Sequence, residues 1–323
     1  MNAARSSTAT ATTGTASARA ACGRFAPTPS GPLHLGSLLA ATASYLSARN
    51  TGGRWLLRID DLDPDRCVPG LSDEFQATLT RFGFEWDGNV CFQSNRTGAY
   101  REALAAIAET EQSYACRCSR SSLSATQVPE PGSEPVYPGT CRSDPSAASG
   151  PHAIRFAIDP GQPTVEFEDV IQGHCRQDCV REAGDFVIRR RDGLAAYHLA
   201  TVVDDAAQGV NEVVRGADLL SSTPRQILLQ RALGLPMPRY GHVPLLTEPD
   251  GRKLAKSRRA VPLAASAAST QLRQVLEWLE QAPPPDLETA PVKSIWDWAI
   301  PNWRSERLAG RGERRLDPAP PPA

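Results

Sequence analysis

The stretch "GRFAPTPSGPLHLGSLLAATASYLSARNTGGRWLLRID", beginning at Gly23, constrains the fold more than any other part of the chain. "GRFAP" reads as a short strand, residues 27–35 as a loop, and residues from about 36 to 50 as a helix that stops at Gly52 and Gly53. "RWLLRID" follows as a second strand. A strand, helix, strand order with a glycine-rich first turn implies a βαβ unit and a parallel sheet, whose ligands lie beyond the carboxyl ends of the strands. The proline-rich loop is therefore expected at a binding crevice.

Further along, "SDEFQATLTRFG" and "TGAYREALAAIAET" show helical spacing, with Ser72 and Thr97 as N-cap candidates. Between Cys116 and Pro151 the texture changes to Pro, Ser, Gly and scattered Cys, an irregular insertion. "DFVIRRRDGLAAYHLATVVDD" reads as two strands joined at Asp192-Gly193, its second half being equally open to a helix. "SSTPRQILLQRALG" is a helix capped by Thr223, with Pro224 at its first position and Gly234 at its end. "STQLRQVLEWLEQ" is another, after which "APPPD" and "DPAPPPA" mark linker and tail. The residues before Gly23, nearly all Ala, Thr and Ser, are expected to be a disordered tail.

A net charge of -1 gives no whole-chain attraction to nucleic acid, so an RNA partner needs a local basic surface such as "IRRRDG" or "KSRR". No apolar run approaches the ~20 residues that span a bilayer, and a soluble, cytoplasmic protein is expected. Eight cysteines in 323 residues are too few for a disulfide scaffold but cluster at short spacing, which favours reduced thiols and a metal site. Cys116, Cys118 and Cys141 form a zinc signal whose fourth ligand the spacing leaves open, and His174, Cys175 and Cys179 are nearly as good a set on sequence alone. Cys22, Cys67 and Cys91 read as isolated thiols. The acidic run "DDLDPD" is not a calcium loop, because Arg66 stands at the obligatory glycine position and Ser72 at the terminal glutamate position.

A loop ending at a helix N-terminus presents unpaired N–H groups and a positive dipole end, which suits phosphate. In "HLGS", Gly36 lets a ligand approach the backbone and His34 offers a hydrogen bond to a phosphate oxygen, although a histidine there also reads as a simple cap. "GRKLAKS" adds Lys253 and Lys256, mobile point charges that can follow charge as it builds on phosphate.

With both elements present, the sequence resembles the class I aminoacyl-tRNA synthetases of glutamyl type. "RFAPTPSGPLHLGS" matches the HIGH region, "LLRIDDLDPDR" the acidic strand and "KLAKS" the KMSKS loop, and the likeness continues through "YPGTCR", "DFVIRRRDGLAAYHLATVVDD" and "VVRGADLLSSTPRQILL". The chain ends at residue 323, leaving too little after Ser257 for an anticodon-binding region of well over ~100 residues. The short form is similar to the glutamyl-Q tRNA(Asp) synthetase family, which activates glutamate and attaches it to the queuosine base in the tRNA(Asp) anticodon.

The resemblance implies an α/β, Rossmann-like catalytic domain in two halves, residues 23–115 and 152–260, around a zinc-binding insertion at 116–151. A helical C-terminal portion follows at 261–323, residues 1–22 are the tail, and no anticodon-binding domain is expected. It also implies a glutamate site of Arg24, Phe25, Ala26, Pro27, Thr28, Asp60, Tyr197 and Arg215, with glutamate's two carboxylates and ammonium met by arginines and an acid. ATP, with Mg²⁺, falls to His34, Gly36, Ser37, Lys253 and Lys256. One structural Zn²⁺ falls to Cys116, Cys118, Tyr137 and Cys141, the resemblance supplying Tyr137 as the fourth ligand. Two positions depart from the family pattern: Asp60 replaces a glutamate, and Ala255 replaces the serine of the KMSKS loop. The implied enzyme is a monomeric ligase that forms glutamyl-adenylate and transfers glutamate to queuosine-containing tRNA(Asp). Charging of a tRNA 3′ end and a non-catalytic RNA-binding paralogue are the alternatives.

Overall fold

The computed structural model describes residues 20–119, 122–123, 136–144, 148–247 and 263–315. Strand β1 (Cys22–Phe25), helix α1 (Leu35–Asn50) and strand β2 (Arg54–Ile59) form the expected unit, with β1 and β2 parallel and Cys22 opposite Arg54. Gly53 is required where α1 turns back, since a Cβ there would meet the Ala21 carbonyl oxygen at 2.0 Å. Helix α2 (Leu71–Arg81) leads to strand β3 (Cys91–Phe92), which adds parallel to β2, and helix α3 (Thr97–Glu109) follows.

The cap candidates Ser72 and Thr97 lie inside their helices. Gly70, at φ 82°, ends the incoming turn before α2, and a 3-10 turn at Gln93–Arg96 feeds α3 directly.

Strands β4 (Ser113–Cys116), β5 (Ala153–Phe156) and β8 (Phe186–Arg189) make a small antiparallel sheet that flanks the insertion. Between β5 and β8 run the antiparallel pair β6 (Thr164–Asp169) and β7 (Gly173–Asp178), then the short helix α4 (Cys179–Glu182). The segment after Gly193 resolves as helix α5 (Tyr197–Ala207), with Ala195 keeping only an isolated bridge to Arg189. Strand β9 (Glu212–Gly216), helix α6 (Thr223–Ala232) and strand β10 (Arg239–Val243) complete a second crossover, with β10 parallel to both β9 and β6. Ser222, not Thr223, precedes α6, with Pro in its first turn as expected. Asn211 ties β1 to this second sheet: its N–H donates to the Cys22 carbonyl at 3.1 Å, and its side-chain oxygen accepts the Cys22 N–H at 2.7 Å.

Helices α7 (Ala268–Trp278) and α8 (Val292–Asn302) follow, with strand β11 (Leu245–Thr247) paired to β12 (Glu313–Arg315). The segment after "APPPD" is packed, not a free linker. Trp296 donates to the Phe82 carbonyl at 2.9 Å and stacks edge-on against Tyr45 of α1. No helix among the described residues is long and apolar enough to cross a membrane.

Two cores sandwich the parallel strands. One holds Phe25, Trp55, Leu57 and Ile59 with α1, α7 and α8; the other holds Cys22, Leu56, Val213 and Tyr240 with α3, α5 and α6. Side chains alternate between faces along a strand. Arg24, Arg58, Arg215 and His242 therefore share the second face, among the last residues of their strands.

Candidate active site

Alternation at the carboxyl ends of β1, β9 and β10 divides consecutive residues between two neighbouring sites. Phe25, Gly216 and Val243 line a cavity of about 650 Å³, together with Pro27, Thr28, His34, Gly36, Ser37 and Leu246. Their predecessors Arg24, Arg215 and His242 turn instead into a buried charged cluster on the other face.

The cavity sits over the N-terminus of α1. His34 is the N-cap of that helix, and its Nδ1 accepts the N–H groups of Gly36 at 3.1 Å and Ser37 at 3.3 Å. Accepting at Nδ1 leaves the neutral ring's proton on Nε2, so the cap and donor readings of His34 are compatible. A Cβ at Gly36 would lie 3.0 Å from the His34 ring, so a side chain there would press on the cap. Lys253 and Lys256 lie outside the described residues, as does Ala255.

In the charged cluster, Asp205 of α5 accepts from Arg24 Nε at 3.2 Å and Arg58 Nη1 at 2.5 Å, and Arg58 Nε donates to Asp60 at 2.8 Å. Burial pushes the Asp205 carboxyl up, but Arg24 and Arg58 beside it more than offset this and hold it below the usual carboxylate range. Asp60 goes the other way: burial raises it, and Arg58 and Arg24 only partly compensate. Arg215 Nη2 donates to Thr223 at 2.8 Å and its Nε to His242 Nε2 at 3.1 Å. Arg58 Nη2 and Arg215 Nη1 are buried and donate to nothing among the described residues. A buried donor without an acceptor is costly, and a carboxylate satisfies it.

Of the residues expected to hold glutamate, Arg24, Asp60 and Arg215 are buried around this cluster, with Tyr197 exposed at the start of α5 and close enough to influence Arg215. Phe25, Pro27 and Thr28 line the cavity, and the Pro27 carbonyl accepts the Asp60 N–H at 3.0 Å. Arg58, Asp205, Asp169 and His242 were not anticipated. Arg58 and Asp205 carry a signal in the sequence, a charge set into a largely apolar strand or helix, whereas Asp169 in "TVEFED" and His242 in "RYGHV" carry none of that kind.

Cys116, Cys118 and Cys141 converge, their sulfurs all within 4.8 Å of one another. Tyr137 Oη lies 3.5 Å from Cys116 Sγ and 3.7 Å from Cys118 Sγ, and Cys118 and Cys141 sulfurs are 3.6 Å apart. Thiolates ~2.3 Å from one tetrahedral zinc lie about 3.8 Å apart, so the four atoms fit that ion. Burial raises the Cys141 thiol, but hydrogen bonds from Tyr137, the Arg117 backbone and Cys118 prevail and bring it down to about 7. Burial pushes the Tyr137 phenol up. The rival set disperses: His174 pairs with Glu168 at 2.8 Å, and Cys175 donates to the Gly173 carbonyl. The acidic run is likewise committed to protein partners, Asp60 to Arg58, Asp61 to Ser94 and Asp63 to Arg190.

Comparison with known proteins agrees with this geometry. Residues 22–274 match the family model described as tRNA synthetases class I (E and Q), catalytic domain. A glutamyl-Q tRNA(Asp) synthetase of Ectopseudomonas mendocina is 51% identical over 88% of this chain and 94% of its own length. The glutamyl-Q tRNA(Asp) synthetase of Chromobacterium violaceum is 49% identical over the same shares of the two chains. A glutamate tRNA ligase of Elizabethkingia meningosepticum, solved with its amino acid, has the same fold at a TM-score of 0.74 and 23% identity, over 92% of this chain and 67% of that one.

Proposed function

The chain belongs to the class I tRNA synthetases of E and Q type and, within them, to the glutamyl-Q tRNA(Asp) synthetase family, and we propose that it joins glutamate to the queuosine base of tRNA(Asp). The observation that carries the reading is the pair of adjoining sites at the carboxyl ends of the same strands. One is a cavity over a helix N-terminus, suited to ATP, and the other is a buried cationic cluster with two unused guanidinium donors.

In the first step a carboxylate oxygen of glutamate attacks the α-phosphorus of ATP, the bond to the bridging oxygen breaks, and pyrophosphate leaves. Arg24 and Arg215 hold glutamate's carboxylates, and Asp60, with Tyr197 at the rim, receives its ammonium. His34 donates from Nε2 as charge builds on phosphate, while the N–H groups beyond it add the helix dipole. Lys256, and Lys253 with it, are assigned to the ATP phosphates from the sequence pattern "KLAKS". Mg²⁺ enters on the ATP phosphates as part of the substrate. No protein nucleophile is required. In the second step a hydroxyl of queuosine attacks the adenylate carbonyl, and AMP leaves with the bonding pair.

Cys116, Cys118, Cys141 and Tyr137 would hold zinc, which when bound supplies cross-linking of the insertion, not chemistry.

Labelled glutamate with queuosine-containing tRNA(Asp), queuosine-free tRNA(Asp) and tRNA(Glu) tests the reading. Label is expected only on the first and should survive removal of the tRNA 3′-terminal adenosine. Equal labelling of both tRNA(Asp) forms excludes the modified base as acceptor, and label lost with the 3′ adenosine indicates end-charging.

A further inference from the structure

Arg215 ends a buried chain of three side chains from three strands. Asp169, the last residue of β6, has its Oδ1 fixed by the N–H groups of Ile171 at 3.0 Å, Gln172 at 2.8 Å and His242 at 3.1 Å. Its Oδ2 lies 2.5 Å from His242 Nδ1. On the far side of the ring, His242 Nε2 lies 3.1 Å from Arg215 Nε and 3.1 Å from the Thr223 hydroxyl. Both His242 and Asp169 have no side-chain exposure.

Only one proton arrangement satisfies this chain. A guanidinium has donors and no acceptor, so Nε2 must offer its lone pair to Arg215. The ring's single proton then sits on Nδ1, where Asp169 accepts it. A second proton, on Nε2, would point at the guanidinium. Burial and the Arg215 charge oppose that proton more strongly than Asp169 favours it, and the imidazole is held below its ordinary value. Tyr240 stacks on the His242 ring at 6.3 Å and 16°, and Arg215 lies over the same Tyr240 ring at 5.6 Å, which fixes the plane of the pair.

We propose that His242, oriented by Asp169, is a positioning residue for the glutamate site: it holds the plane of the Arg215 guanidinium, the group read above as meeting a substrate carboxylate. The inference rests on the reading of Arg215 as a carboxylate-binding arginine. His242 touches no substrate and acts through Arg215 alone. The arrangement follows the rule that an imidazole's role is set by the group on its other nitrogen.

Glutamate-dependent ATP–pyrophosphate exchange, with KM determined separately for glutamate and ATP, tests this. His242→Leu should raise the glutamate KM by at least about tenfold, as expected when a hydrogen bond to a charged group is removed, with the ATP KM within about twofold of wild type. His242→Gln, whose amide can accept from Arg215 and donate to Asp169, should recover most of that loss. An unchanged glutamate KM in His242→Leu, or equal loss toward both substrates, overturns the proposal. Arg215→Ala separates the two levels: if it raises the glutamate KM while His242→Leu does not, only the positioning role fails. If Arg215→Ala is also silent, the glutamate-site reading fails with it. Should His242→Leu not fold, nitrogen-15 NMR of histidine-labelled wild-type protein at pH 7 decides. A neutral ring protonated on Nδ1 is expected for His242; protonation on Nε2 overturns the proposal.

Discussion

The imidazole of His34 turns back on its own helix and accepts the backbone N–H of Gly36 at 3.1 Å. One side chain thus caps α1 and lines the cavity, and the cap can be separated from the proposed donor role. His34→Asn keeps an N-cap acceptor but loses the ring donor, whereas His34→Ala loses both. Pyrophosphate exchange should fall roughly 100-fold or more in each. Only the alanine variant should lose melting temperature, by ~2–4 °C for a cap of about 1 kcal/mol. Exchange retained by His34→Asn removes His34 from the chemistry.

Asp205 serves two arginines, so its loss should be felt both in stability and in substrate affinity. Asp205→Asn leaves two buried guanidinium groups short of one counter-charge and should cost roughly 3 kcal/mol in denaturant unfolding. The glutamate KM should rise while the ATP KM holds, because the cavity lies on the opposite face of the strands. A variant with normal stability and normal glutamate KM contradicts the shared role.

Acid should weaken the fold before the carboxylates titrate. Burial, with Arg225 and Arg215 nearby, holds His198 down at about 3. The unfolded chain takes up that proton near pH 6.5, so stability declines below 6.5 by about 1.4 kcal/mol per pH unit until the folded ring titrates. Asp205 and Asp169, both depressed, contribute stability above about pH 3.9 that is lost as pH falls through their lower folded values. His198→Gln should therefore flatten unfolding free energy between pH 6 and 4 by about one proton, measured by denaturant titration across pH.

Purified protein should carry about one zinc per chain. Cys118→Ser should lower that content and, like chelator treatment of wild type, lower the melting temperature. Wild-type protein with no zinc and an unchanged melt on chelation returns the cluster to three thiols and a phenol.

The unit from β1 to β2 was legible because its glycines bracket a helix and its strands are short apolar runs. Arg58 was not, although it stands in the middle of "RWLLRID". Sequence shows that this charge interrupts an apolar strand but not that its partner waits on α5, whose aspartates also look like an ordinary helix end. Asp169 and His242 were hidden for the same reason, since their pairing depends on β6 and β10 becoming neighbours. Helix α8 was not individually legible within the expected helical C-terminal portion, because Pro291 stands before it and Pro301 inside its last turn, and prolines so placed suggest linker. The convergence of Cys116, Cys118 and Cys141 was readable from spacing, whereas the place of Tyr137 came only from resemblance.

Trp296 lies far along the chain from Tyr45, yet it packs on that residue in the helix that carries His34 at its head. During synthesis α1 leaves the ribosome long before its packing partner does. A nascent chain halted ahead of Trp296 would have every residue of the βαβ unit but an unfinished core behind α1. Competence to form adenylate should thus arise abruptly once Trp296 has emerged, although most of the residues proposed for the chemistry precede it.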